Sequence, residues 1–582
     1  MTEASLKRRP IEWWERRKLE NNGCRSLDWS LIRLCDATDL SAVRNVRFSG
    51  SVSLGVVRTE NGSAIENVHL HNCVVGDNAE IRNVGIAIRN CIIGKGARIQ
   101  NTALIEFEPE SPCGLGTEVC VLDETGSRRV RIYPGMSSQA AFLMAREPKW
   151  RERHVDPMVD DYCDMNTPQP RIGDGATVTN CGSIVNVTIG DEVIVDGARS
   201  LRNGMVINNA TPGRCMARIG AGVDAENFIV EDGILDSGAI VRNCYIGQGA
   251  LLEKGFTAHD SLIFSNCSLE NGEACALFAG PYTVSMHKSS LLIGCQTSFM
   301  NAGSGTNQSN HMYKLGPVHW GILERGVKTS SASYLMLGAK IGAFSLLMGQ
   351  HKTHPDSSQF PFSYLFGDDK GATVVVPGVM LRSCGLLRDE QKWPTRDRRL
   401  KRKLPMLDRI VFDVLNPLTV DKMLSASEVI ENLLSRPADD DRYIRYRGMR
   451  FTRASLERAR HLYELAIYKY LSRKAVSIDW TERDPDNEAN EWVDVSGLPM
   501  TRSSVRKAME ASSLTDMEKV FSQAFEQYEI LERRWILSRF PDRWHRSAEV
   551  IADYAAEFDH MVEEDRTRYL DELNAQNEML SL

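Results

Sequence analysis

The chain has 582 residues, 42% of them hydrophobic and 25% charged, with 77 acidic side chains against 70 basic ones and a net charge of −7. Those totals exclude a disordered, collagen-like or small disulfide-stapled protein, predict roughly two to four domains by length, and leave no general electrostatic footprint for nucleic acid. Because 43 glycines outnumber 21 prolines and helical-looking segments sit mainly at the two ends, the middle must be turn-rich.

Residues 1–44 read as an N-terminal helical cap, with a helix near Ile11 to Glu20 carrying Trp13 and Trp14, followed by Asp28-Trp29-Ser30. The opening segment has basic residues but no apolar h-region, and no apolar run approaches the ~18 residues of a membrane span. A cytoplasmic protein with no membrane insertion is expected. The fourteen cysteines contain no C-x-x-C pair and are read as reduced.

From residue 45 to 105 the sequence repeats. Asn72-Cys73-Val74-Val75-Gly76 through Asn83 aligns without gaps on Asn90-Cys91-Ile92-Ile93-Gly94 through Asn101, eighteen positions on. Over 171–383 the unit recurs as Ile172-Gly173, Ile189-Gly190, Ile246-Gly247 and Ile341-Gly342, each with a small residue and then another aliphatic one at fixed offsets. An aliphatic residue every sixth position fits neither a strand alternation nor a 3.6-residue helix. It fits a triangular coil of eighteen residues, with aliphatics inward, Gly or Asn near the corners, and short parallel strands stacked coil on coil. The Asn-Cys pairs at Cys73, Cys91, Cys181, Cys244 and Cys267 then read as stacked amides beside small buried thiols.

This pattern resembles the hexapeptide-repeat, left-handed parallel β-helix superfamily over roughly residues 45 to 380. The whole chain also resembles a family of long bacterial hexapeptide-repeat proteins with no assigned activity. That likeness rests on Asp28-Trp29-Ser30, on Phe278-Ala279-Gly280-Pro281-Tyr282-Thr283-Val284, on Thr306 through Gly316, and on Arg388-Asp389 with Lys392-Trp393-Pro394. The fold class expected is mainly β, a left-handed parallel β-helix with a cap, an insertion and a C-terminal α-helical domain.

The insertion is residues 106–170, where Pro109, Pro112 and Pro134 break the repeat and Gln139 to Arg151 reads as a short helix packing outside the coil or against a neighbouring subunit. After the coils, 384–418 reads as a basic linker whose run from Arg388 to Lys403 holds eight basic residues and three acidic ones. Such a run can grip phosphate or nucleic acid, though a solvated linker or an oligomer contact is more common. Residues 419–582 read as an α-helical domain, with helical spacing over Asp421 to Ser435 and Arg453 to Leu471, and a capping-box pattern at Thr515 and Glu518.

Chemistry is expected where the repeat yields to polar residues. His259, His287, His311, His319, His351 and His354 fall within one stretch with many amides and lysines, and such groups require exposed edges or loops, because burying them unpaired is costly. The superfamily resemblance implies a homotrimer, a His general base, and acyl-CoA as donor for acyl transfer to a sugar or nucleotide-sugar. The candidate bases are His287, His311 and His351. Lys288, Asn307, Gln308, Asn310, Tyr313, Lys314, His319, Lys328 and His354 are the candidate substrate contacts. A metal-dependent hydratase using His351-x-x-His354 with His311 or His287, and a non-catalytic scaffold or sugar-nucleotide binding protein, remain open alternatives. A nucleotidyltransferase is disfavoured, since residues 1–45 are too short for its nucleotide domain and Gly303-Ser304-Gly305 lacks a strand-then-helix context.

Overall fold

The repeat closes into coils because its corners fall on residues that tolerate a left-handed backbone. In the computed structural model, which describes residues 8–58, 64–309, 319–439, 442–474, 491–540 and 547–580, Asn72, Asn90, Asn180, Asn243 and Asn266 have φ between 50° and 59°. Asn enters this region at little cost because its short amide bonds locally. The amides also stack between coils. Asn72 Nδ2 donates to Asn90 Oδ1 at 3.1 Å, and Asn186, Asn203, Asn227, Asn243 and Asp260 form a chain of donations at 3.0–3.3 Å. The five cysteines beside those corner asparagines are buried and unbridged.

A single 39-stranded sheet, almost wholly parallel, wraps into a β-solenoid. Glu80 lies beside Arg98 and Leu70 beside Ile88, eighteen residues on. Later coils vary in length, with Thr177 beside Ile194, Ile219 beside Leu235 and Ser200 beside Asp224. Stacking starts inside the expected cap, where Arg25–Ser26 pairs in parallel with Arg47 and Phe48. The helix there, Trp13–Asn21, buries Leu19 over the first coils. At the other end Tyr364–Gly367 pairs antiparallel with Thr373–Val376, which ends the winding.

The insertion leaves the coil without disturbing it, since Arg98 pairs with Thr177 across the excursion. Its helix is Ser138–Arg146 and not the longer one expected, because Pro148 starts a new short turn after the Glu147 cap. That helix is buried over most of its length, with Phe142 edge-on to Phe278 of the solenoid at 6.2 Å. Gln139 Nε2 donates to the Ser496 carbonyl of the C-terminal region at 3.1 Å. The insertion is thus a wedge within one chain.

The segment expected as a linker is folded: Cys384–Thr395 is a helix that carries Pro394 near its end, and Arg398–Arg402 is a second short one. Helices Pro417–Leu434, Arg453–Lys474, Leu514–Glu526 and Ala548–Leu580 follow. The cap of Leu514–Glu526 is Ser513, which accepts from the Asp516 amide. The expected Thr515–Glu518 box does not form, because the Glu518 carboxylate instead accepts the Ser137 amide of the insertion at 3.2 Å. Among the described residues no helix is long and apolar enough to cross a membrane.

Candidate functional site

One inward ladder runs Ile81, Ile99, Val178, Val195, Ile219, Leu235, Leu252 and Leu269 in register from coil to coil, every member fully buried. The next rungs are Ser285 and Ala302, and then, one coil further, Thr329. Leu347 and Leu365 restore the aliphatic pattern. Within this polar stretch hydroxyls bridge the coils: Thr283 to Thr297 at 2.8 Å and Thr306 to Thr329 at 2.6 Å. The Ser285 hydroxyl is buried with no partner among the described residues. Directly outside these rungs, Ser268, Val284, Asn301 and Lys328 stack in register to make a floor four coils long, at about 4.8 Å per coil.

The basic segment docks across that floor. Its anchor is Asp397 with Arg399, both almost fully buried, joined at 2.7 and 3.0 Å. Burial alone would raise the Asp397 pKa, but the Arg399 contacts outweigh it and hold the carboxyl below its ordinary value. Arg398 is tied to the coils through the Gly249 and Cys267 carbonyls and the Ser268 hydroxyl, at 2.5–3.2 Å. Burial lowers its pKa, yet an arginine stays charged.

Between floor and helix lies a cavity of about 430 Å³ lined by Lys328, Arg388, Lys392, Arg396, Arg398 and His287, with Asp389 as the sole lining carboxylate. Lys328 pairs with Asp389, and Arg388 approaches the same carboxylate at 3.9 Å. One wall is aromatic: Tyr282 stacks on Phe299 at 5.4 Å, Phe299 meets Trp393 edge-on at 4.7 Å, and the Tyr282 hydroxyl donates to the Trp393 carbonyl at 3.1 Å. Such a surplus of cations beside flat apolar rings suits a ligand with phosphate at one end and a ring at the other.

Of the described residues expected from sequence, His287 and Lys328 line this cavity and the others do not. Lys288 is exposed on the same turn and outside the lining. Asn307 accepts from the Ser309 hydroxyl on another face. Gln308 points inward at a core position, 1% exposed, with no partner for its Oε1 among the described residues. His319 lies near Asp123 of the insertion, and His354 donates from Nδ1 to the Leu337 carbonyl at 2.7 Å. His351 is fully enclosed: its Nδ1 meets the Thr373 hydroxyl at 2.9 Å, its Nε2 has no partner among the described residues, and burial pushes its pKa down to about 4. A base that no substrate can reach is of no use to one, so His351 is set apart. Asn310, His311, Tyr313 and Lys314 lie outside the described residues. Among the described residues of one chain, no three His, Cys, Asp or Glu side chains are grouped to hold a metal.

Sequence reasoning missed Asn266, Ser268 and the aromatic wall as parts of the cavity. The available signal was the basic run itself, placed immediately after the coils end, where a return path over the solenoid surface is short. Among curated proteins none matches the sequence. A family model described as a domain of unknown function, DUF4954, matches residues 9–434. That span takes in the solenoid, the insertion and the basic helices that close the cavity, and the chain therefore belongs to the DUF4954 family.

Proposed function

We propose that the cavity binds a phosphorylated sugar or nucleotide-sugar, and that the protein transfers an acyl group to it from acyl-CoA with His287 as general base. The observation that carries this reading is the convergence of five cations and one histidine against a stacked aromatic wall. Lys328 and the arginines would hold phosphate oxygens by charge-assisted hydrogen bonds. Trp393 and Tyr282 would pack against a base or sugar ring. His287, on the exposed rim, would take the proton of the acceptor hydroxyl or amine as it attacks the thioester carbonyl. The carbon–sulfur bond then breaks, the acyl group stays on the acceptor, and the thiolate leaves to be protonated. The coil of sixteen to eighteen residues over most of the solenoid, with aliphatic inner ladders, supports placement beside the left-handed hexapeptide-repeat transferases, and with it a homotrimer.

The test is calorimetric titration with a uridine diphosphate sugar, followed by an assay for thiol release from acetyl-CoA. Lys328→Met and Lys392→Met should each weaken binding about tenfold, the scale of a lost charge-assisted hydrogen bond. His287→Ala should keep binding and lose thiol release. No saturable binding to the wild type, or full turnover in His287→Ala, would overturn the reading.

A further inference from the structure

Far from the cavity, the outer face of the first coils carries a polar cluster that the repeat does not require. Strands Val43–Leu54 and Ile65–Val75 run in parallel, with Arg47 beside His69 and Ser49 beside His71, and Arg89 lies beside His71 on the following coil. Phe48, Leu70 and Ile88, their neighbours along each strand, fill the inside of the coil, so by strand alternation the polar side chains point outward. Ser49, His69 and His71 are each partly exposed. The Ser49 hydroxyl lies 2.8 Å from His69 Nε2 and 2.9 Å from His71 Nδ1.

The hydrogen bonds around this cluster fix where each proton lies. Asn72 Oδ1 accepts the Ser51 amide at 3.0 Å and its Nδ2 donates to Asn90 at 3.1 Å, which sets the orientation of the side-chain amide. The same Nδ2 is 3.1 Å from His71 Nε2, and an amide nitrogen can only donate, so Nε2 accepts and the proton of that ring is on Nδ1. His71 Nδ1 therefore donates to Ser49 Oγ. The hydroxyl has one proton of its own, and the acceptor beside it is His69 Nε2. Burial, and then the nearby Arg47, Arg89 and His71, hold the His69 pKa below its ordinary value, so its ring is neutral and able to take a proton near neutral pH. A metal ion bridging the two rings would need the Nδ1 lone pair of His71, which this network gives to a proton.

We propose that Ser49 is a nucleophile with His69 as its general base, and that this face hydrolyses small carboxylic esters. Ser49 Oγ attacks the ester carbonyl while its proton passes to His69 Nε2. The bond from carbon to the leaving oxygen then breaks, the alcohol departs with that proton, and the acyl group stays on Oγ. Water attacks the acyl-serine as His69 takes its proton; the bond between Oγ and carbon breaks, a carboxylic acid leaves, and His69 returns the proton to Oγ. Arg47, exposed beside His69, is placed to offset charge developing on the carbonyl oxygen. His71 acts through Ser49 by aiming its hydroxyl. An open face gives access without a pocket, so turnover should rise linearly with ester concentration. None of these residues lines the cavity between the solenoid and the basic helix.

The experiment treats the full-length protein with a fluorophosphonate, in which Oγ displaces fluoride from phosphorus, and maps the adduct by mass spectrometry, with hydrolysis of p-nitrophenyl acetate followed in parallel. The adduct should fall on Ser49 and vanish in Ser49→Ala. Its rate should drop at least about a hundredfold in His69→Ala, the scale of a lost general base. His71→Phe should slow it about tenfold, and His71→Gln, which keeps an N–H for Oγ, should restore most of that loss. Ser51→Ala removes a neighbouring exposed hydroxyl, keeps the amide that holds Asn72, and should leave both readouts unchanged. Absence of a Ser49 adduct in the wild type, equal labelling in His69→Ala, or ester hydrolysis that survives in Ser49→Ala would overturn the assignment. The wild-type adduct needs no variant to fold, so its position alone can reject the site.

Discussion

Coils on either side of residue 270 differ at their corners, where asparagine at positive φ gives way to Tyr282, Phe299, Phe344 and Phe362, and they differ in their interiors. Up to Leu269 the inner ladder is unbroken aliphatic side chain, whereas from Ser285 through Ala302 to Thr329 it is two hydroxyls and a methyl group, with further hydroxyl bridges beside it from Thr283 to Thr297 and from Thr306 to Thr329. Outside the first set lie stacked amides and ion pairs such as Arg242 with Asp224 at 2.7 Å. Outside the second lies the docked basic segment. Aliphatic rungs make a stiff rod, and a rod alone binds little. The polar rungs sit beneath a face on which the basic segment folds back over the solenoid to enclose a cavity.

The comparison breaks most severely at the anchor. Removing the Asp397 carboxylate leaves Arg399 buried and unpaired, at a cost of about 3–5 kcal/mol. Asp397→Ala should therefore release 384–403 from the solenoid, seen as faster amide exchange there, while exchange in the coils before residue 270 stays slow. Uniform exchange across both regions would show that the anchor does not act locally. Next in size is Ile219→Ala, at a fully buried rung between Val195 and Leu235. It should cost about 2–5 kcal/mol through lost burial and a residual cavity. Denaturant melts followed by circular dichroism give the comparison.

How much of this was legible in the sequence follows the same division. Asn72-Cys73 and Asn90-Cys91 report their own fold, because a corner that needs a positive φ and an inward slot that needs a small apolar group leave the same mark again at Asn180-Cys181, Asn243-Cys244 and Asn266-Cys267. The site lacks that redundancy. His351 and His287 look alike in sequence, yet one is sealed in the last coils and the other stands on a cavity rim. The difference is set by strand phase in coils whose lengths vary, and by a helix arriving from about a hundred residues away in sequence. Glu518 is a similar case: its spacing from Thr515 suggests a cap, and only the docked insertion gives its carboxylate another partner.

That partner makes the wedge sensitive to pH. Burial pushes the Glu518 carboxyl up to about 7 and Glu231 up to about 6, with Asp408 adding to the first and Asp232 to the second, while Arg409 and the amides of Ser137 and Gly135 pull the other way. A raised acid pKa means that the folded state holds a proton which the unfolded chain has released, so stability falls as pH rises from about 4.5 to 7. Glu518→Gln keeps an acceptor for the Ser137 amide and removes the titration. Its melting temperature should gain on the wild type at pH 8 and match it near pH 5. An equal difference at both values would remove Glu518 from the account.

The smallest expected effect is the sharpest comparison between the two ladders. Ser285 occupies the same inward position as Leu269 one coil earlier, but its buried hydroxyl has no partner among the described residues. An unpaired buried hydroxyl costs about 1–3 kcal/mol, while the alanine methyl costs almost nothing to bury. Ser285→Ala should accordingly leave stability unchanged or raise it by about 1 kcal/mol, the reverse of truncation at Ile219. If Ser285 is kept for the cavity above it, the same substitution should weaken binding of the uridine diphosphate sugar at constant fold, because the floor residue Val284 loses its polar neighbour beneath. Stability gained with binding intact would make the polar rungs a tolerated irregularity of the coil, and would move the origin of the site wholly onto the docked basic segment.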